Sequence, residues 1–273
     1  MKRLALIFLF FFVALIFFAK SAKSQESQFD FLRAYQDYTY NYSIYRRAHN
    51  DYVLAKGQYL SYKTLKSKTN AYDKTLAMLQ ARDEAIKTYL TALRLKLVET
   101  EGVPSLERDA LFGRIDTEVA WYEDHRGRLA SAGSLEDLVV NSEEVEDKYA
   151  STEILYYQTL ISILAGKEND FRERLMAVIS DIKDKVAEIR QNQDKNTRKI
   201  ERWVLEAELR LTRSQEKTFD AQSVIFELKE RDRDKFKVYN ESRELITESH
   251  QYLKEASSFL KEIIDEAKTS DTQ

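Results

Sequence analysis

The chain has no cysteine, one proline and six glycines among its 273 residues. Without cysteine there is no disulfide framework, thiol nucleophile, thiolate metal site or lipidated N-terminal Cys. Glycine and proline punctuate turns and sit poorly inside helices, so a chain this short of both has few places to bend and is expected to form long helices. Also missing are a G-x-S-x-G elbow, a P-loop, a dinucleotide fingerprint and the Glu-x-x-His pairs of di-iron bundles. No catalytic residue, cofactor or metal is expected, and an enzyme ranks third among the functional readings.

Charged residues make up 33% of the chain, 43 basic and 46 acidic, for a net charge of −3. Both signs are interspersed, as on helices that expose most of their faces. One hydrophobic run stands apart. Met1-Lys2-Arg3 is a short basic start, and Leu4 to Ala19 is apolar throughout, the layout of a secretory signal. Small residues follow at the spacing a signal peptidase accepts, as Ala19-Lys20-Ser21 and Ala22-Lys23-Ser24. Cleavage after Ser24 is expected, with Ser21 the alternative. The competing reading is a short uncleaved membrane anchor. Either one places residues 25–273 outside the cytoplasm, secreted, periplasmic or on the cell surface. Membrane contact is expected only through residues 4–19, and only if they are retained. Removing residues 1–24 takes away four cations and brings the net charge to −7, so a nucleic-acid partner is not expected.

Beyond the leader, apolar residues recur at alternating spacings of three and four, the sign of amphipathic helices that bury one stripe. A first helix carries Phe31, Tyr35, Tyr38, Tyr42, Tyr45, His49, Tyr52 and Tyr59 and is expected to end in the turn Ser67-Lys68-Thr69-Asn70. A second runs from Tyr72 to Leu97 and stops near Gly102-Val103-Pro104. A third begins at about Ser105, because proline can precede or open a helix but not continue one, and passes Leu129. Gly133 is expected as a left-handed C-terminal cap and Ser134 as the next N-cap. A fourth helix would end at Gly166, a fifth would carry Phe171 to Ile189, and Gln191 to Thr197 is a polar interruption. From Ile200 a seven-residue repeat runs through Leu228 and resumes at Tyr239 as far as Ile263. The charged run Lys229 to Lys235 is either a hairpin turn or a loosely packed stretch of one helix.

These patterns predict an all-α fold, an elongated antiparallel helical bundle or coiled coil. The expected layout is a leader or anchor over 1–24, a four-helix segment over 25–166, long coiled-coil helices over 167–268 and a frayed tail over 269–273.

The most distinctive composition lies near the start. Nine of the sixteen tyrosines fall between Tyr35 and Tyr72, and residues 25–70 carry seven basic and four acidic side chains, so this stretch is +3 while residues 71–273 are −10. Tyr38, Tyr45, Tyr52 and Tyr59 repeat every seven residues, with Arg46 and Arg47 beside them. Packing of the rings against neighbouring helices is the ordinary role of such a series. The alternative is a candidate interaction surface formed by these six residues, since tyrosine and arginine are favoured at interfaces. Its partner would be another protein, a second copy through helix faces, or an envelope polymer. His49, His125 and His250 are expected to be solvated, Glu143, Glu144, Glu146 and Asp147 to line a solvated helix face, and Trp121 and Trp203 to anchor packing. The leading functional expectation is an exported, non-enzymatic structural or interaction protein of the cell envelope. A membrane-anchored extracytoplasmic sensor is the alternative.

Overall fold

The computed structural model describes residues 21–191 and 197–270. The expected leader lies outside them up to residue 20, as do residues 192–196 of the polar interruption and 271–273 of the tail. The fold is all-α: among the described residues there are six helices and no strand. They are α1 (Ser21–Tyr62), α2 (Leu65–Glu99), α3 (Ser105–Leu129), α4 (Leu135–Gln191), α5 (Arg198–Phe226) and α6 (Lys235–Ser270).

The chain divides into two compact units. Of the described residues, the first unit combines those up to Glu99 with Arg114–Glu146, and the second combines Thr100–Gly113 with those from Asp147 onward. In the first unit α1 and α2 pack antiparallel. The Lys96 ammonium lies 4.6 Å from the Phe31 ring centroid, Tyr38 meets Tyr89 at 4.8 Å, and Lys74 pairs with Asp51 at 2.8 Å. Met78, Leu79, Leu129 and Leu138 form the buried centre, with Tyr45, Tyr52, Tyr72 and Leu76 packed against it.

In the second unit the later part of α4 packs with α5 and α6, which are antiparallel to each other. Lys199 pairs with Glu266, Arg210 with Glu255 and Lys217 with Glu248. Two apolar clusters fill this unit, one around Leu175, Val204, Leu211, Leu253 and Leu260, the other around Ile161, Ile225 and Ile246. Between them in sequence is a buried hydroxyl layer. Ser249 lies 2.8 Å from both Ser214 and Thr218, and its hydroxyl also reaches the Ser214 carbonyl at 3.0 Å. A satisfied polar layer tolerates only one alignment of two helices, since any slip leaves hydroxyls buried without partners.

Several helix ends differ from the sequence expectation, each for a local reason. The first turn is not at Ser67–Asn70. Lys63 adopts a left-handed φ of 46° and donates to the Tyr59 carbonyl, closing α1. Thr64 and Ser67 then exchange backbone-to-hydroxyl bonds, 3.0 Å from Thr64 N and 3.2 Å from Ser67 N, which opens α2. Gly133 is not left-handed. α4 begins instead with a capping exchange in which Asp137 N donates to Ser134 Oγ at 3.1 Å and Gly133 N donates to the Asp137 carboxylate at 2.9 Å. The one glycine with positive φ among the described residues is Gly102, at 75°. The charged run is a true turn: Lys229 N donates to Asp232 and Lys237 N to Asp234, and α6 starts there.

The largest difference is at Gly166. α4 runs through it without interruption for 57 residues, merging the expected fourth and fifth helices. Gly166 is there because the α2–α3 connection crosses it. A Cβ at Gly166 would lie within contact distance of Val103 Cγ2, 2.9 Å from Thr100 Cγ2 and 3.0 Å from the Glu101 carbonyl oxygen. The connection is pinned in place by Asn169, whose side-chain amide donates to the Gly102 carbonyl at 3.0 Å.

Candidate functional site

The tyrosine-rich stretch folds as α1, and its chemistry follows from which face each residue occupies. In a seven-residue repeat, positions three and four apart line one side of the helix. Phe31, Ala34, Tyr38, Asn41, Tyr45, Ala48, Tyr52, Ala55 and Tyr59 form such a line, and each is buried or half-buried. Large rings alternate with small residues, so each tyrosine fits beside an alanine or asparagine as α2 approaches. Tyr38, Tyr45, Tyr52 and Tyr59 are therefore placed in a packing seam, where burial, and next the neighbouring Tyr42 and Tyr35, push the Tyr38 phenol above its ordinary range. Arg46 and Arg47 lie outside the seam and are exposed. The structure thus divides the six candidate residues, with four rings against the helix pair and two guanidinium groups in solvent.

One edge of the seam continues into solvent. Phe31, Tyr35, Tyr38, Tyr42, Tyr45, His49 and Tyr52 form an unbroken series of ring contacts, each centroid 5.8–6.3 Å from the next. The Lys56 ammonium extends it, 5.5 Å from the Tyr52 ring centroid. The outer rings of this ladder belong to a second line with the same alternating spacing: Leu32, Tyr35, Thr39, Tyr42, Arg46, His49, Val53, Lys56 and Leu60. All nine are exposed. The line is about 42 Å long at 1.5 Å per residue. It is bounded on the far side by a polar strip of Gln36, Ser43, Asn50 and Gly57.

Charge on α1 is sorted in the same way. From Asp30 to Leu60 the carboxylates are Asp30, Asp37 and Asp51, all in one column on the other side of the seam. Of the cations, Arg46 and Lys56 lie in the exposed line, while Arg33 and Arg47 stand one turn from Asp37 and Asp51, in the column next to the carboxylates. The exposed line therefore offers rings, aliphatic carbons and cations, with no negative side chain.

Sequence reasoning missed a buried charged cluster in the same unit. Asp83 of α2 and His125 of α3 are both fully buried, with Nδ1 of the imidazole 2.6 Å from the carboxylate. The other ring nitrogen lies 3.2 Å from the Asn141 carbonyl oxygen, and the ring stacks on Trp121 at 5.1 Å with planes 6° apart. Arg82 Nε is 3.6 Å from the second carboxylate oxygen. The expectation of a solvated His125 is thus corrected. Its partners come from three helices, and nothing in the local sequence announces a pairing between residues 42 apart. With no exposed surface, the pair acts in packing. His49 is exposed, as expected, and His250 is half-exposed with Nδ1 3.2 Å from Glu168. Glu143, Glu146 and Asp147 face solvent, and the Arg128 guanidinium bonded to Glu144 holds that carboxyl below its usual range.

In the second unit, Glu107 accepts hydrogen bonds from Ser162 and from Gln222, joining α3, α4 and α5. A cleft of about 330 Å³ lies along α4 and α5, lined by Arg172, Lys183, Glu208 and Thr212 among others. Burial lowers the Arg172 pKa from its ordinary value. Among the described residues no group of three or more His, Asp or Glu side chains could hold a metal ion, and no helix is long and apolar enough to cross a membrane. The chain matches no protein-family model, no curated protein and no solved structure.

Proposed function

We propose that this is an exported, non-enzymatic interaction protein of the cell envelope that binds an anionic partner through the solvent-facing line of α1. The observation that carries the reading is the nine-residue exposed line from Leu32 to Leu60, with its rings, aliphatic groups and cations and no carboxylate. Tyrosine and arginine are enriched among the few residues that dominate binding at protein interfaces, because rings bury area with little loss of side-chain freedom and guanidinium groups bond carboxylates in pairs. A line bearing Arg46 and Lys56 favours an acidic helix face or an acidic polymer. The half-buried tyrosines of the seam have a supporting role here: they fix α1 on α2 so that the outer line is held rigid and needs little ordering on binding.

Export is supported by the basic start and the apolar run Leu4 to Ala19. The heptad seams and antiparallel pairs favour rod-like coiled-coil segments that present long faces.

Site-specific photo-crosslinking in the native envelope tests the binding reading. A crosslinker at Tyr42 or Val53 should capture one discrete partner, while one at Ser43 or Asn50, on the polar strip, should not. Equal capture from both strips, or none from Tyr42 and Val53, would remove α1 as the working face. N-terminal sequencing of the exported protein tests localisation, with Gln25 the expected first residue.

A further inference from the structure

The second unit carries another line of exposed side chains, and its pattern differs from that of α1 in a way that names its occupant. On α5 the residues Val204, Ala207, Leu211, Ser214, Thr218, Ala221 and Ile225 are buried and form the inner seam. Roughly 150° around the helix, at about 3.5 residues per turn, a second series repeats with the same alternating spacing: Arg202, Leu205, Leu209, Thr212, Glu216, Phe219, Ser223 and Phe226. All but Ser223 are exposed, and the four large apolar members are far from buried: Leu205 at 66%, Leu209 at 45%, Phe219 at 68% and Phe226 at 40%. Scattered apolar residues on a surface need no explanation. Four on one face of one helix, at the spacing that packs helices, do.

The spacing reads the same in both directions about residue 214. Two copies of α5 laid antiparallel across this face would set Leu209 against the partner's Phe219 and Thr212 against the partner's Glu216 on each side of the axis. Farther out, Leu205 meets the partner's Ser223, and Arg202 reaches the partner's Phe226, a cation over a ring. No like charges oppose each other along the line. In the flanking column Arg213 and Asp220, both exposed, come together as two reciprocal ion pairs. Glu206 and Glu227, the like-charged members of that column, fall at the ends, where Glu206 already lies 4.0 Å from Arg210. The line on α1 cannot pair in this way, since it holds cations and no acid to neutralise a second copy.

We propose that the protein forms a two-fold symmetric homodimer through the outer face of α5, centred at residue 214. A face that is complementary to itself under a two-fold rotation closes after two copies and does not propagate. The surface is independent of α1, so the dimer would present the α1 line twice.

Light scattering coupled to gel filtration of the full chain, over a range of concentrations, tests the proposal. The expected mass is twice that of one chain. The double variant Leu209→Asp/Phe219→Asp should raise the dissociation constant by roughly thirtyfold or more, the loss typical of central interface residues, with unchanged helix content. A second measurement covers the case in which that variant misfolds. Because the chain has no cysteine, Thr212→Cys/Glu216→Cys introduces the sole thiols, and oxidation should link two chains, whereas the pair Thr39→Cys/Tyr42→Cys on α1 should not. A monomer at every concentration, a dimer indifferent to the aspartates, a series of higher polymers, or equal linking by the α1 pair would each overturn it.

Discussion

Glycine to alanine inside a helix normally stabilises by about 1 kcal/mol, because alanine restricts the unfolded chain and shields the backbone. The structure predicts that four helical glycines of this chain divide by sign. Gly57, Gly113 and Gly127 have nothing within 4 Å of an added Cβ. Gly57→Ala and Gly113→Ala should each gain about 0.5–1 kcal/mol, and Gly127→Ala, in the last turn of α3, somewhat less. At Gly166 the same gain is opposed by the α2–α3 connection. The added carbon would press on Val103 and sit 2.9 Å from Thr100 Cγ2 and 3.0 Å from the Glu101 carbonyl. Those atoms have little room to yield: Val103 is buried and stiff at χ1, Pro104 follows it, and Asn169 holds the Gly102 carbonyl. Overpacking of this kind costs about 1–3 kcal/mol, so Gly166→Ala should lose about 1 kcal/mol net. Gly102→Ala should lose more, since it adds a left-handed side chain to a clash with the backbone of α4, including Asp170 N at 2.7 Å. The assay is urea unfolding followed by circular dichroism, run on all five variants together. A Gly166→Ala protein as stabilised as Gly57→Ala would refute the close crossing and return Gly166 to an ordinary position in a long helix.

Removing the Asp83 carboxylate should cost about 3–5 kcal/mol, the penalty for leaving one member of a buried pair without its partner. Replacing both members, as Asp83→Leu/His125→Phe, should cost well under the sum of the two single changes, and simple additivity in a double-mutant cycle would show that the pair is not coupled. Base should unfold the second unit through its tyrosines. Burial, followed by the neighbouring Glu153 charge, holds the Tyr157 phenol well above the ordinary range, and burial does the same at Tyr239. A raised folded pKa means stabilisation that is complete below the unfolded value, about 10, and is lost as pH rises from there toward the folded value. Stability measured against pH should therefore fall in that window, and Tyr157→Phe should flatten the fall. An unchanged alkaline limb in that variant would place the sensitivity elsewhere.

What could be read from the sequence was what depends on neighbours along the chain. The all-α fold followed from alternating apolar spacings, and α3 starts at Ser105 as the preceding proline predicts. The N-cap at Ser134 was legible because a serine hydroxyl acts on an amide three residues away. Glycine misled, because its meaning depends on what lies beside it in space. Gly166 marks the crossing of a distant segment, and Gly133 precedes a cap that needs no left-handed residue. The same limit hid the pairing of Asp83 with His125, whose partners converge from three helices.

The candidate site shows the limit most sharply. Periodicity finds a line of residues, but α1 and α5 each carry two lines at the same spacing, rotated around the same helix. A single chain cannot reveal by pattern alone which line a neighbour covers, because an interface and a core use the same side chains at the same intervals. The tyrosine heptad that stood out by repetition is the line that α2 occupies, and its regularity reflects the packing of ring against small residue. The line left in solvent is less regular, mixing Leu32, Tyr42, Arg46 and Lys56, as expected of a face that no neighbouring helix packs against. On α5 both lines hold large apolar groups: the inner seam has Val204, Leu211 and Ile225 on either side of its hydroxyl layer at Ser214 and Thr218, while Leu209 and Phe219 face outward. Four large apolar side chains in solvent on one face, at the spacing that packs helices, mark an interaction site rather than ordinary surface, and the pairing of that face with itself is the ground for proposing a second copy there.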